Sequence, residues 1–187
     1  MFDVYDTAIR CGVNAEKGSL SSEILVVNAG DELSAGVWSS PSNQITHGGP
    51  GMFYLAKAPD GVDLRTWDGN GDWFKIGELG WNTNTKAGWL ADVEPHSMNV
   101  TIPKTTPPGK YLLRIEHLFL RTEIKETNFF VSCAQLDIKG NGGGTPSPTV
   151  KFPGAYDDFD EGIWAPLWTQ GYWLKGYIPP GPPVWTG

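Results

Sequence analysis

Three histidines are the side chains in this sequence with the widest choice of chemistry, because imidazole serves both as a general base and as a metal ligand. They are His47, His96 and His117. No Gly-x-Ser-x-Gly motif accompanies them, none has a convincing catalytic partner, and no pair has the spacing of a zinc site. His47 lies beside a Gly-Gly-Pro turn, where a ligand could approach the backbone closely. On residue types alone we favour an ordinary surface histidine there, since one imidazole rarely makes a metal site.

Four carboxylates cluster near the C-terminal end and raise the question of glycoside hydrolysis. That reaction needs two carboxyl groups that face each other across the bond to be broken. A cluster confined to one turn does not readily face a second carboxylate elsewhere. We interpret these side chains as a solvated acidic turn: Asp157, Asp158, Asp160 and Glu161.

The charge and the aromatic content both favour a neutral polymer as the partner. The formal net charge is −7 with no basic run, so a phosphate backbone would be repelled and nucleic acid is disfavoured. Nine tryptophans are present, and aromatic rings on loops can stack on sugars, whose C–H bonds meet the negative ring face. For sugar contact we nominate four aromatics of the Gly/Pro-rich C-terminal tail, with packing against the sheet as the alternative for each: Trp168, Tyr172, Trp173 and Tyr177.

These candidates need a scaffold, and the sequence predicts one made of β-strands. Short apolar runs alternate with Gly, Pro, Asn and Asp, without a helical period, which is typical of a β-sandwich or barrel. At the centre lies the stretch 108–135, in which two β-rich runs flank a charged interval and predict adjacent strands. The other predicted strands are 23–27, 32–38, 52–56, 73–76 and 97–102, and 136–139 continues the central pair.

The length of 187 residues suits a single domain over residues 1–187. Cys11 and Cys133 are free thiols if the protein is cytosolic and a disulfide if it is extracellular. Such a bridge would stabilise the fold by roughly 4–5 kcal/mol in the loop-entropy model. Asn99 begins a glycosylation sequon. The first ten residues lack the apolar stretch of a signal peptide, and nothing approaches a transmembrane span, so we expect no membrane partner and a natural start other than Met1.

An ordered set of short motifs runs through essentially the whole chain. They are H-x-G-P at 47–50, Y-L-A at 54–56, W-F-K-I at 73–76, V-T-I-P at 100–103, P-G-x-Y-L-L-R-x-E at 108–116, S-C-A-Q at 132–135, F-P-G-x-Y at 152–156 and P-G-P-P-V-W at 180–185. With these motifs the chain resembles the fungal lytic polysaccharide monooxygenases of auxiliary activity family nine. The resemblance implies an all-β, immunoglobulin-like or fibronectin-type β-sandwich with long loops. It also implies a flat face for cellulose and a long-range disulfide between Cys11 and Cys133.

The resemblance further implies a copper ion held by a histidine brace, which an N-terminal histidine forms with the histidine of H-x-G-P. His47 matches the second of these, and two imidazoles with an amine suit copper. The first histidine and the family's N-terminal strand have no counterpart here, so we expect an incomplete brace in an N-terminally truncated domain. Phe130 matches the family's axial tyrosine but carries no oxygen. Arg121 and Asn128 match the second-sphere histidine and glutamine, and a guanidinium stays charged and only donates.

Three hypotheses about function remain open. By lineage, the chain is a secreted, monomeric, copper-dependent monooxygenase directed at cellulose or another cell-wall β-glucan. Alternatively, it is a non-catalytic relative that binds such a polysaccharide without copper chemistry. In the third hypothesis it is a structural or interaction domain. Whether the chain is an enzyme stays undecided here, because substitutions at 121, 128 and 130 accompany the missing ligand.

Overall fold

The computed structural model describes residues 3–15, 23–36, 44–45, 47–81, 88–89, 96–164 and 176–187. In these residues the chain forms one short 3₁₀ helix, Thr7–Ile9, and seven strands. The strands are β1 (Leu25–Asn28), β2 (Glu32–Gly36), β3 (Gly51–Lys57), β4 (Trp73–Leu79), β5 (Ser97–Thr101), β6 (Gly109–Phe119) and β7 (Asn128–Lys139). This part of the chain contains no α-helix, and it offers no helix with the length and apolarity that a membrane crossing requires.

Two sheets face each other and form the predicted β-sandwich. Five strands make the larger sheet in the order β1-β7-β6-β3-β4, and β2 pairs with β5 in the smaller one. β1 runs parallel to β7, whereas the other neighbouring strands are antiparallel. Phe53 and Leu113 of the larger sheet share one buried cluster with Met98 and Val100 of the smaller sheet. The core between the sheets therefore draws on strands far apart in the chain.

The predicted central pair is confirmed as β6 and β7. These strands pair in continuous antiparallel register from Gly109 opposite Ile138 to Phe119 opposite Asn128. Both strands are longer than the apolar runs that predicted them, because their outer ends alternate polar and apolar residues and still pair. The charged interval between the two runs forms the connection. The end of β6 and the start of β7 therefore lie side by side at this end of the sheet.

The larger sheet is buried on both faces. Successive side chains of a strand point to opposite faces, so Tyr111 and Leu113 of β6 face the smaller sheet while Leu112 and Arg114 face away from it. The second face is covered by loops, from which Ile9 and Phe152 contribute buried side chains. A strand buried on both sides is expected to be nearly continuous in apolar residues. β3 has this character, since only its last residue is exposed.

A charged network lies inside the loop-covered face. Arg114 and Glu116 are fully buried, and the guanidinium donates two hydrogen bonds to the carboxylate, at 2.8 and 2.6 Å. The Tyr156 hydroxyl donates to the same carboxylate at 2.6 Å, which leaves the Tyr54 hydroxyl to donate to Tyr156 at 2.8 Å. Burial, reinforced by the Glu116 carboxylate, holds the pKa of Tyr156 well above its ordinary value. All four groups therefore have partners in the dry interior, as buried polar groups require.

The disulfide between Cys11 and Cys133 is formed, with Cα atoms 5.0 Å apart. It attaches the N-terminal loop to β7 directly opposite Arg114 on β6. At the same place Arg114 Nε donates a hydrogen bond of 2.9 Å to the carbonyl of Ile9. The loop that covers this face is thus held by a covalent bond and by the buried cation.

Most of the other predicted strands lie where the apolar runs placed them, with boundaries shifted by a few residues. The run 23–27 becomes Leu25–Asn28, and the run 73–76 extends to Leu79. The strand predicted for 32–38 is observed as Glu32–Gly36, and positions 37–38 lie outside the described residues. Asn99, the sequon residue, is exposed on β5 opposite Ser34.

The acidic turn is only partly the solvated cluster that its composition suggested. Asp158 is 9% exposed, and its carboxylate lies 3.0 Å from the Lys125 ammonium. Burial raises the pKa of Asp160, although that carboxylate accepts a hydrogen bond from the Gly162 amide. The prediction of full solvation was therefore wrong for these two residues, because the turn folds back against the end of the larger sheet. Sequence patterns alone cannot show such a contact.

Candidate functional site

His47 begins a tight turn that leads into β3. Its imidazole stacks on Phe119 with ring centroids 4.3 Å apart and planes 17° apart. Phe130 lies nearly parallel to the same imidazole at 5.7 Å, and 48% of the Phe130 surface is exposed. Phe119 ends β6 and Phe130 lies near the start of β7, so the junction of these two strands positions the ring. We call this set of His47, Phe119 and Phe130 the ring stack.

His117 lies beneath the turn and contacts it through both ring nitrogens. Nε2 is 2.9 Å from the carbonyl oxygen of His47, and Nδ1 is 3.1 Å from that of Pro50. Its ring also lies nearly parallel to Phe130, with centroids 6.0 Å apart. Burial lowers the pKa of His117. Its contacts with the His47 and Pro50 carbonyls act in the opposite direction and offset part of this effect. The atoms that face this histidine are backbone carbonyl oxygens 67 and 70 positions away in the chain, and neither belongs to a catalytic side chain.

The turn touches β6 so closely that one position has no room for a side chain. A Cβ atom placed on Gly49 would lie 1.8 Å from the carbonyl oxygen of Leu118. In the same region the Leu118 amide donates to the Pro50 carbonyl at 3.0 Å. The backbone at Gly49 and Pro50 is therefore in direct contact with the end of β6 at Leu118. The glycine of H-x-G-P is required here by steric contact.

Replacing Gly49 by alanine is expected to displace the turn from β6 and move His47 out of the ring stack. The colliding atom belongs to the backbone of a central strand and cannot rotate away. We expect a loss of about 1–3 kcal/mol, the usual cost of overpacking a dense interior. Urea denaturation measures this loss, and the proton shifts of the His47 ring report the displacement.

Gly51→Ala is the matched control for this prediction. A Cβ at Gly51 would meet the sulfur of Met98 at 2.6 Å, and that sulfur is at the mobile part of a flexible side chain. Met side chains adapt readily to such changes. The control should therefore cost less than Gly49→Ala. Equal effects of the two substitutions on stability and on the His47 signals would contradict the steric argument.

Arg121 and Asn128 flank the ring stack. The Arg121 guanidinium lies 5.2 Å from the Phe119 ring centre, and it is 3.9 Å from the Glu126 carboxylate. The Arg121 amide donates to the Thr127 hydroxyl at 3.1 Å, and that hydroxyl donates to the Ile163 carbonyl at 2.7 Å. Asn128 begins β7 opposite Phe119 and is partly buried. The resemblance singled out three positions, 121, 128 and 130, and the fold brings them together beside His47.

A groove of about 650 Å³ opens next to these residues. His47 and His117 lie along its lining, and Phe130, Ile115 and Met98 supply apolar walls between the two sheets. Because Ile115 and His117 are two residues apart on β6, they face the same side of the sheet. The candidate site is therefore a mixed surface of imidazole, phenyl and aliphatic groups.

The metal-ligand content of this surface is low. No group of three or more His, Cys, Asp and Glu side chains in the described part of the chain is arranged to hold a metal ion. His47 offers an imidazole, whereas both nitrogens of His117 face backbone carbonyls. Phe130, which the resemblance matches to the family's axial tyrosine, has no donor atom to offer. A copper ion needs more than one ligand of the imidazole or amine type, so the described residues do not fit a copper site by themselves.

The aromatic residues nominated for sugar contact have separate locations. Tyr177 is partly buried, and its hydroxyl donates a hydrogen bond of 2.7 Å to the Gly162 carbonyl. Its ring packs edge-on against Trp89 at 5.0 Å. Burial holds the pKa of the Tyr177 hydroxyl well above its ordinary value. The other three nominated residues, Trp168, Tyr172 and Trp173, lie outside the described residues.

Comparison with known families decides the lineage. The profile of Auxiliary Activity family 9, formerly GH61, matches residues 1–177. This chain belongs to family AA9. AA9 lytic polysaccharide monooxygenase U of Thermothielavioides terrestris is 40% identical, over 99% of this chain and 75% of the relative. AA9 lytic polysaccharide monooxygenase C of Emericella nidulans is 42% identical, over 99% of this chain and 78% of the relative.

Solved structures agree with this membership. A cellulose-active polysaccharide monooxygenase from M. thermophila superposes with a TM-score of 0.81 at 26% identity, covering 100% of this AA9 chain and 83% of that structure. The structure titled HiLPMO9B gives a TM-score of 0.78 at 31% identity, again covering 100% of this chain and 83% of the relative. The immunoglobulin-like fold implied by the motifs is thus confirmed for this AA9 chain.

The contacts of two residues with the His47 turn in this AA9 chain have no direct sign in the sequence. Phe119 lies in an apolar run and gives no sign that it stacks on His47. His117 looks like one more polar residue of an alternating strand. The available sign was the period of two on β6, which puts residues 115, 117 and 119 on one face at the end of the central pair. That period does not show which turn folds over the face.

Proposed function

We propose that this AA9 chain is directed at cellulose or another cell-wall β-glucan and contacts it at the surface around His47. The observation that carries the proposal is the exposed Phe130 ring beside His47 on a chain of this family. A phenyl ring that is half exposed can meet the C–H groups of a sugar. The groove beside it offers apolar walls, and the exposed Arg121 guanidinium next to Phe119 offers donors to sugar hydroxyls. The chain's acidity is no obstacle to binding a neutral polymer.

Copper-dependent oxidation is the activity that membership of the family suggests, and we propose it as the first possibility for this chain. His47 would be one copper ligand. The described residues supply no second one, so the remaining ligands would have to come from elsewhere in the protein. When bound, copper would activate an oxygen species that attacks a C–H bond at the glycosidic linkage. Secretion accompanies this proposal, because cell-wall polysaccharide is an extracellular substrate.

Binding without oxidation is the second candidate, and two residues favour it. Arg121 places a permanent positive charge beside the ring stack, which disfavours a nearby cation. Phe130 presents a hydrocarbon ring where the resemblance matches the family's axial tyrosine. Both side chains remain suitable for contact with sugar. In the second candidate function, the surface around His47 binds polysaccharide but holds no copper ion.

Depletion from solution by insoluble cellulose tests the shared part of the proposal. We expect wild type to bind and Phe130→Ala to bind about fivefold to tenfold more weakly, as for the loss of one aromatic contact of 1 kcal/mol or more. Val26→Ala is the control, because Val26 is 63% exposed on β1, where it pairs with Asp137 at the other end of β7 from Phe130. Failure of wild type to bind any β-glucan would overturn the proposal.

Copper titration of wild type and His47→Gln then separates the two candidates. Calorimetry should show a site that depends on His47 if the oxidative candidate holds, and the copper-loaded protein should release oxidised oligosaccharides from cellulose. Binding to cellulose without copper uptake at His47 would select the second candidate. Copper uptake that persists in His47→Gln would exclude His47 as a ligand.

A further inference from the structure

We infer that His117 is a positioning residue, which holds the backbone of His47 and thereby keeps the His47 imidazole in the ring stack. This inference deepens the proposed function, and its link to polysaccharide binding rests on that function. Its structural part stands independently. It concerns a hydrogen bond between the His117 ring and the carbonyl of the candidate residue itself.

The two carbonyls that face His117 are not equivalent. The Pro50 carbonyl already accepts the Leu118 amide at 3.0 Å, so it has a donor whatever His117 does. The His47 carbonyl lies 2.9 Å from His117 Nε2, which can donate to it in the tautomer that carries its proton on Nε2. A neutral imidazole has a single N–H and can donate to only one acceptor. The hydrogen bond that matters is therefore from Nε2 to His47.

The position of His117 explains how one such bond can orient a side chain. His117 is 7% exposed near the end of β6, the middle strand of the larger sheet, and lies opposite Gly51 on β3 and Phe130 on β7. It is therefore a rigid point of attachment. The bonded carbonyl belongs to His47, so the bond restrains the peptide that carries the imidazole. Phe119 and Phe130 restrain the ring itself. Loss of either restraint would let the His47 ring sample other rotamers.

Three substitutions at position 117 separate these contributions. His117→Gln can place an amide N–H near the position of Nε2 and should keep the bond to His47. His117→Asn places its N–H near Nδ1, so it can serve Pro50 and not His47. His117→Phe keeps a ring against Phe130 and removes both nitrogens. We expect the His47 imidazole to stay in the ring stack in the glutamine variant, as in wild type. In the asparagine and phenylalanine variants we expect it to leave the ring stack.

Proton and nitrogen NMR of the histidine rings in the full chain is the direct test. In wild type the His47 ring protons should show ring-current displacement from Phe119 and Phe130, and His117 should carry its proton on Nε2. The displacement should be retained in His117→Gln and lost in the other two variants, while the His96 signals stay unchanged. Thermal melts establish that each variant is folded.

Two results would overturn the inference. One is a ring-current displacement of the His47 ring protons that persists in folded His117→Phe. The other is a wild-type His117 ring whose only proton is on Nδ1. Cellulose depletion is then measured on the same proteins, and binding should weaken by about fivefold in His117→Phe, the effect of one hydrogen bond. If wild type does not bind cellulose, the proposed function fails while the NMR result still decides the role of His117.

Discussion

Replacing Glu116 by glutamine is expected to destabilise the protein by about 3–5 kcal/mol, the cost of leaving one member of a buried ion pair without its partner. Arg114 would keep its charge, because a guanidinium does not deprotonate in proteins. The Glu116 carboxylate raises the pKa of Arg114, while burial alone would lower it. For a chain of this size, the loss corresponds to a fall in melting temperature of about 10 °C. Urea denaturation and a thermal melt both measure it.

The reason for so large an effect is the burial of both members of the pair away from solvent. Arg114 and Glu116 are both fully buried, and the Arg114 guanidinium also lies 3.9 Å above the Phe152 ring. Glutamine can accept fewer hydrogen bonds than a carboxylate, so Arg114 or the Tyr156 hydroxyl would lose an acceptor. A desolvated donor without an acceptor costs free energy in addition to the unpaired charge.

Glu126→Gln is the matched control, because it makes the same chemical change in an exposed pair. Glu126 lies 3.9 Å from Arg121, and both side chains are about half exposed. Exposed pairs typically contribute less than about 1 kcal/mol. The double variant Arg114→Met/Glu116→Gln removes both charges, and it should be more stable than the sum of the single effects predicts. Additive effects, or equal losses in Glu116→Gln and Glu126→Gln, would contradict the argument.

Breaking the Cys11–Cys133 disulfide is expected to cost about 4–5 kcal/mol, because the bridge closes a loop of 122 positions. The loop-entropy model assigns this cost to the unfolded chain, which gains freedom when the cross-link is absent. Two samples separate the cross-link from its packing. Wild type under reducing conditions loses only the bond, whereas Cys11→Ala/Cys133→Ala also loses two sulfur atoms from a partly buried site. Urea denaturation of each gives the free energy of unfolding.

The free energy of unfolding of the reduced wild type should be lower by most of the expected amount of about 4–5 kcal/mol. That of the double alanine variant should be slightly lower still. Arg114 still holds the N-terminal loop through the Ile9 carbonyl in both samples. The folded state should therefore keep its shape, with the wild-type near-ultraviolet circular dichroism. A loss below about 1 kcal/mol in reduced wild type would show that the long loop is restrained in the unfolded chain by other means.

The sequence alone determined the fold class, the lineage, the approximate positions of the strands along the chain and the adjacency of the central pair. Alternating apolar residues predicted the central strands, because the two-residue period of a strand is a local property. The motifs identified the family, and Cys11 and Cys133 were named as a pair before their separation in space was known. His47 was singled out by the turn that follows it. All these inferences depend on neighbours in the chain or on a resemblance that spans it.

Only the tertiary structure decided what surrounds His47 and what lies in the core. No partner of His117 can be predicted from the sequence, because the atoms that face its ring are carbonyls, which every residue carries and no sequence pattern marks. Arg114 and Glu116 lie two positions apart on β6 and looked like ordinary polar residues of an alternating strand. Their burial follows from the loops that cover the second face of the sheet. Contacts between segments 40 to 142 positions apart create these environments. Local residue patterns do not specify such contacts, because they form only when the whole chain packs.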